Sequence, residues 1–133
     1  MAVADSGGLP IGMRLDSASP HEAKLAVDTV SSIFVEGKIE NLIGDKAYDS
    51  DPLDKKLKEG YGIDLTAPHK SNRKKTKTQD GRKLRRYLRR WKIERLFAWL
   101  QNFRRLVVRY EVKEQNFLAF IHLSCCCIYL RYF

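Results

Sequence analysis

Four polar residues in one stretch of the chain have the types and spacing to handle a phosphate. They are Tyr87, Arg90, Glu94 and Gln101, separated by 3, 4 and 7 positions. On an α-helix, at about 100° per residue, they project within an arc of about 60° on one face. Trp91 and Phe97 flank that stripe, while Arg85, Arg86, Arg89 and Lys92 widen the positive surface around it. A single carboxylate among arginines suits either a metal ligand or a helical ion pair, here with Arg90 four residues earlier. On these residues alone the ion pair is the commoner arrangement. Asp45 directly follows Gly44 at the end of an apolar run. Catalytic groups and ligands sit at the carboxyl ends of strands in α/β sheets, although a turn or cap role is the simpler reading of one aspartate. Asp49, Asp51 and Asp54 lack the alternation and the glycine of a calcium loop and read as turn and cap residues.

The elements that must position these residues can be read in outline. Met1 to Ala4 and Leu9 to Leu15 read as two strands around the Asp5-Ser6-Gly7-Gly8 turn. Ser19-Pro20-His21-Glu22 has the composition of a helix start, carrying a helix to about Ser32. Ile39 to Ile43 reads as a short strand. Asp51-Pro52 opens a second helix, with Asp51 as its cap, that runs to about Gly60, and Ile63 to Ala67 reads as another strand. Residues 69–82 read as a basic, turn-rich loop. From Arg82 onward the absence of Gly and Pro predicts one long helix or two, with a break near Arg109 to Lys113. The apolar stretch in residues 114–133 reads as a core helix, too short and too interrupted to cross a bilayer. The order indicates an α/β domain with a mixed sheet flanked by helices.

Composition narrows the function. The chain has 133 residues, 44% hydrophobic, enough for a core, and a net charge of +9. The charge is concentrated. Residues 70–95 hold 13 of the 25 basic side chains and 2 of the 16 acidic ones, whereas residues 1–69 hold 7 basic and 12 acidic. Such a block repels itself unless an anion lies against it, and it is the electrostatic footprint of a nucleic-acid binder. The loop containing Lys70, Arg73, Lys74, Lys75 and Lys77 is expected to order only on DNA. The three cysteines, Cys125, Cys126 and Cys127, are adjacent and form neither a disulfide staple nor a zinc motif. No secretory leader pattern is present, so the expected location is the cytoplasm.

Two segments carry a family resemblance. Asn41-Leu42-Ile43-Gly44-Asp45-Lys46-Ala47-Tyr48-Asp49-Ser50 resembles the second catalytic aspartate segment of bacterial insertion-sequence DDE transposases. Arg90-Trp91-Lys92-Ile93-Glu94-Arg95-Leu96-Phe97-Ala98-Trp99-Leu100, continuing through Phe103-Arg104-Arg105-Leu106 to Arg109-Tyr110-Glu111, resembles the third, on a helix bearing a Tyr, Arg, Glu, Lys signature. The resemblance runs over nearly the whole chain. It implies a ribonuclease-H-like fold and metal-dependent cleavage and strand transfer of double-stranded DNA. It makes Asp45 and Glu94 two of three carboxylates for Mg2+ or Mn2+, and it places Tyr87 and Arg90 near the DNA backbone. Gln101 stands where the family often has Lys, so the phosphate charge expected there is missing.

The resemblance also predicts an aspartate on an initial strand, and no segment of this sequence matches it. Asp5 and Asp16 sit outside any matching motif. The expectation is therefore a single partial catalytic domain over residues 1–133, a C-terminal portion lacking its first strand. It would be inactive alone, with the upstream half of the enzyme or a second copy as partners. The alternatives are a non-catalytic DNA-binding regulator and an RNA-binding basic protein that stacks bases on Tyr87, Trp91 or Trp99.

Overall fold

In a computed structural model, which describes residues 1–17, 22–74, 76 and 81–132, the amino-terminal segment forms the hairpin its pattern implies. β1 (Ala2–Ala4) and β2 (Pro10–Met13) pair antiparallel, with Ala2 opposite Met13 and Val3 opposite Gly12. Asp5 builds the turn, its Oδ1 accepting the amides of Gly7 and Leu9 at 2.8 Å each. Gly8 reverses the chain at φ 89°, a conformation side chains resist. α1 (Glu22–Ser31) follows, while the Ser19-Pro20-His21 start lies outside the described residues.

β3 (Asn41–Ile43) and β4 (Asp64–Thr66) run parallel, joined by α2 (Asp51–Tyr61) as a strand–helix–strand crossover. The cap of α2 is Ser50 rather than Asp51, which with Pro52 begins the helix proper. Pro52 is the second helical residue, within the first turn, where its missing amide hydrogen costs no intrahelical bond. α2 ends at Gly62, left-handed at φ 69°. Leu53 and Leu57 of α2 are buried, as is Ile63 just beyond it.

The sequence predicts a mixed sheet; among the described residues the strands form one antiparallel pair, β1–β2, and one parallel pair, β3–β4. With 3 or 4 residues each they offer short ladders, and such pairs depend on packed helices for stability. The carboxy-terminal half is more divided than expected. α3 (Gly81–Leu84), a 3-10 stretch (Arg85–Arg90), α4 (Trp91–Leu100), α5 (Arg104–Val107) and α6 (Glu114–Leu130) follow one another. The expected break at 109–113 is present, with further interruptions before Trp91 and after Leu100. Arg82/Arg86, Arg85/Arg89 and Arg86/Arg90 would all be like-charge neighbours at i, i+4 on an α-helix, which disfavours α winding there.

The residues group into two compact units: 1–17, 29–35 and 91–133 in the first, 18–28 and 36–90 in the second. In the first, Met13, Leu96, Leu100, Cys125 and Ile128 form a buried cluster, against which Ile93, Trp99, Phe103 and Ile121 pack. The Tyr129 hydroxyl donates to the Pro10 carbonyl at 2.6 Å, tying α6 to the hairpin. Burial pushes the Cys125 thiol up to about 11, in keeping with a packing role. No helix among the described residues is long and apolar enough to cross a membrane.

Candidate catalytic and nucleic-acid site

Asp45 stands where the sequence places it, beyond the carboxyl end of β3. The Gly44 amide donates to the Thr66 carbonyl at 3.0 Å, so the strand pairing extends to the residue before it. Asp45 Oδ1 accepts the Ala47 amide at 2.7 Å and caps a 3-10 turn, Lys46–Tyr48. A Cβ on Gly44 would lie 2.9 Å from the Tyr48 ring, so glycine is what lets this turn fold onto the strand. Asp45 is exposed, and its Oδ2 takes no hydrogen bond from a described residue. One oxygen thus holds the turn and the other is open to a ligand.

The basic segment departs from the expected single helical face. Tyr87 and Arg90 lie on the 3-10 stretch and Glu94 on α4, while Gln101 falls in the turn beyond α4. Side chains three apart eclipse on a 3-10 helix. Tyr87 and Arg90 are accordingly brought together: Arg90 Nη1 donates to the Tyr87 hydroxyl at 2.7 Å, with the guanidinium 5.3 Å from the ring centroid. Arg85, Arg86, Arg89 and Arg90 are all exposed. Arg86 donates to Asn41 Oδ1 at 2.5 Å, fastening the stretch to the amino end of β3. Arg85 and Arg89 make no ion pair with a described residue.

Asp45 belongs to the second unit and Glu94 to the first. Glu94 is exposed on α4. Lys92 hydrogen-bonds the Ser6 carbonyl in the hairpin turn, so its ammonium already has a partner within the chain. The neighbouring Arg95, which the pattern does not single out, donates to the Gly7 carbonyl at 2.5 Å. Its guanidinium lies 4.9 and 4.6 Å from the Trp91 and Trp99 ring centroids, one helical turn away on either side.

Sequence reasoning missed a buried ionic clamp in the second unit. Asp49 Oδ1 accepts from Arg73 Nη1 at 2.7 Å and lies 2.9 Å from His69 Nδ1, while Oδ2 accepts the Lys70 amide at 2.8 Å. Arg73 Nη2 also donates to Asp51 at 2.6 Å. The Asp49 side chain is only 4% exposed and that of Arg73 11%. Burial pushes the Asp49 carboxyl up, but the Lys70 amide, His69 and Arg73 outweigh it and hold the group below the usual range. Arg73 is therefore an internal tie, and His69, Lys70 and Arg73 of the loop expected to order only on DNA are already held, while Lys75 and Lys77 lie outside the described residues. The only available signal was the pair of turn-forming clusters. The pairing itself joins residues 24 positions apart.

Asp54, beside this clamp, behaves oppositely. Burial, then the charges of Asp51 and Asp49, push its carboxyl up to about 6, and its buried Oδ1 has no hydrogen-bond partner among the described residues. The folded state thus favours the protonated form. Its ionisation penalty is absent below the unfolded value near 3.8, grows as pH rises, and is complete above about 6. Asp54→Asn, which imitates the neutral form, is expected to stabilise the chain at pH 7.5 by about 1 kcal/mol after allowance for partial exposure. The gain should vanish near pH 4, as followed by urea denaturation at both values.

Among the described residues no three His, Cys, Asp or Glu side chains gather as a metal site.

The chain matches the family model for the transposase DDE domain over residues 1–130. The chain belongs to the DDE transposase family. It is 30% identical over 137 residues to a protein assigned as the transposase for insertion sequence element IS402 of Burkholderia cepacia, covering 95% of this chain and 59% of that protein. It is 32% identical over 132 residues to the corresponding assignment for element IS6501 of Brucella ovis, covering 98% of this chain and 95% of that one. The chain thus spans 59% of the length of the Burkholderia relative and nearly all of the Brucella relative. No solved structure matches it. DDE transposases as a family cleave DNA and transfer strands, and they typically use divalent metal ions.

Proposed function

We propose that this transposase chain holds double-stranded DNA on its basic segment and supplies Asp45 and Glu94 as two of the three carboxylates of a transposition centre. In this reading it does not cleave DNA alone. The observation that carries it is the row of exposed guanidinium groups on Arg85, Arg86, Arg89 and Arg90, on a short stretch lying between Asp45 and Glu94 in the chain. Like charges crowded in this way destabilise the isolated protein and are relieved by a polyanion. Tyr87 orients Arg90, and the open oxygen of Asp45 is placed to receive a ligand. The fold is read as ribonuclease-H-like, acting in the bacterial cytoplasm at the nucleoid, and an upstream polypeptide or a second copy supplies what this chain lacks.

The purified chain is expected to bind duplex DNA with steep salt dependence and to leave supercoiled plasmid intact with or without Mg2+ or Mn2+. Magnesium-dependent nicking abolished by Glu94→Gln would overturn the claim of inactivity. Failure to bind duplex would remove the DNA-binding reading. The alternative reading is a non-catalytic DNA-binding regulator. That role predicts no requirement for Asp45 or Glu94 when the chain is supplied together with the upstream half in a transposition assay.

A further inference from the structure

The parallel pairing of β3 and β4 sets two different basic groups at opposite ends of the same strands. At the amino end, Asn41 of β3 is held by Arg86 at 2.5 Å, which fixes the arginine stretch there. At the carboxyl end, Ile43 is opposite Thr66, so Gly44-Asp45 leaves the sheet beside Ala67-Pro68-His69-Lys70. From Asn41 to Asp45 is roughly 13 Å of extended chain, so the arginines of the 3-10 stretch do not meet the sheet where Asp45 does. The basic segment that shares the carboxyl end with Asp45 is 70–74, and in open α/β sheets that end is where ligands bind.

The clamp accounts for how this segment stays there. Asp45 and Asp49 cap the two ends of one 3-10 turn, with Ala47 donating to the Asp45 side chain and the Asp49 amide donating to Lys46. The Asp49 side chain takes the Lys70 amide and the Arg73 guanidinium, and the Arg73 amide closes a turn on the Lys70 carbonyl at 3.1 Å. One buried carboxylate thereby joins the Asp45 turn to the segment bearing Lys70 and Lys74. Lys74 is exposed and Lys70 partly so, and neither makes an ion pair with a described residue. Arg73, between them, is spent on Asp49 and Asp51.

Building on the DNA-binding reading above, we propose that Lys70 and Lys74 contact the DNA phosphates next to Asp45, and that Asp49 is the positioning residue that holds them there. The arginine stretch grips the same duplex farther away. The role of Asp49 has a counter-intuitive consequence. Neutralising an acidic residue makes a basic chain more positive and should tighten its grip on DNA, yet loss of this carboxylate should loosen it.

The test is the salt dependence of binding to a short duplex of arbitrary sequence, measured by fluorescence anisotropy on the full 133-residue chain. The wild type is compared with K70Q/K74Q, Asp49→Asn, Glu59→Gln and R85Q/R86Q/R89Q. Glu59 is an exposed acid on α2 and serves as the charge control. K70Q/K74Q is expected to lower the slope of log affinity against log salt by about 2 units. Asp49→Asn is expected to weaken binding severalfold and lower the slope in the same direction, while Glu59→Gln tightens binding slightly. Partial unfolding would reduce the bound fraction without lowering the slope. Should Asp49→Asn fail to fold, K70Q/K74Q decides the lysine contacts and Asp49→Glu decides the positioning role, since a carboxylate one methylene out of place should lower the slope in a folded chain. An unchanged slope in K70Q/K74Q, with R85Q/R86Q/R89Q still weakened, overturns this inference and leaves the DNA-binding reading standing. Asp49→Asn tightening as Glu59→Gln does overturns the positioning role. A wild type that binds no duplex overturns both readings.

Discussion

Replacing Arg85, Arg86 and Arg89 together by glutamine is expected to flatten the salt dependence of duplex binding by about 2 to 3 units of slope. Each phosphate neutralised by a side chain releases condensed counterion, so the slope counts contacts regardless of sequence. All three side chains are exposed. Only Arg86 has a side-chain hydrogen bond to a described residue, with the neutral amide of Asn41, so its charge remains available. Affinity should fall by about tenfold or more at moderate salt, equally for unrelated sequences. Equal loss across sequences is what backbone contacts predict, because phosphates position a protein and carry no sequence information directly. An unchanged slope would mean that the arginines are merely solvated and that the net charge of +9 reflects something other than a nucleic-acid partner.

The second large effect concerns the core behind α4. Leu96→Ala is expected to destabilise the chain by about 3 kcal/mol, measured as a shift of the urea midpoint at unchanged m-value. Leu96 is 0% exposed and belongs to the cluster with Met13, Leu100, Cys125 and Ile128. Its loss removes both the transfer free energy of the deleted atoms and the contacts around the cavity left behind. Phe97→Ala on the same helix is the internal comparison. Phe97 is 45% exposed, so its truncation should cost about 1 kcal/mol. Equal effects would mean that α4 does not bury the face assigned to it. The same helix carries Glu94, so this core keeps a candidate catalytic side chain in place.

Much of the arrangement was legible in residue order. The hairpin follows from Asp5 and the glycines, the crossover from apolar runs on either side of Asp51-Pro52, and the position of Asp45 from Gly44 at a strand end. Each of these rests on interactions between near neighbours, which spacing encodes directly. The face shared by Tyr87, Arg90, Glu94 and Gln101 was read at α-helical pitch, and that failed for Tyr87 and Arg90, which lie on a 3-10 stretch, and for Gln101, beyond the end of α4. Repulsion among arginines four apart competes with α winding, so a pattern fitted to one helix type is divided between two. The sheet was legible only as α/β with short strands, because strands of 3 or 4 residues constrain their partners weakly.

The sequence by itself determined the family, the two candidate carboxylates and the concentration of positive charge, since motif and composition are local properties of the chain. Only the tertiary structure decided which basic residues are available. It commits Lys92 to the Ser6 carbonyl, Arg95 to Gly7 and two indole rings, and Arg73 to Asp49 and Asp51. Lys92 and Ser6 are 86 residues apart and Arg73 and Asp49 are 24 apart. A guanidinium in solvent and one in a buried ion pair have the same sequence signature, and the difference between them arises only when folding brings distant carboxylates and carbonyls within hydrogen-bonding reach.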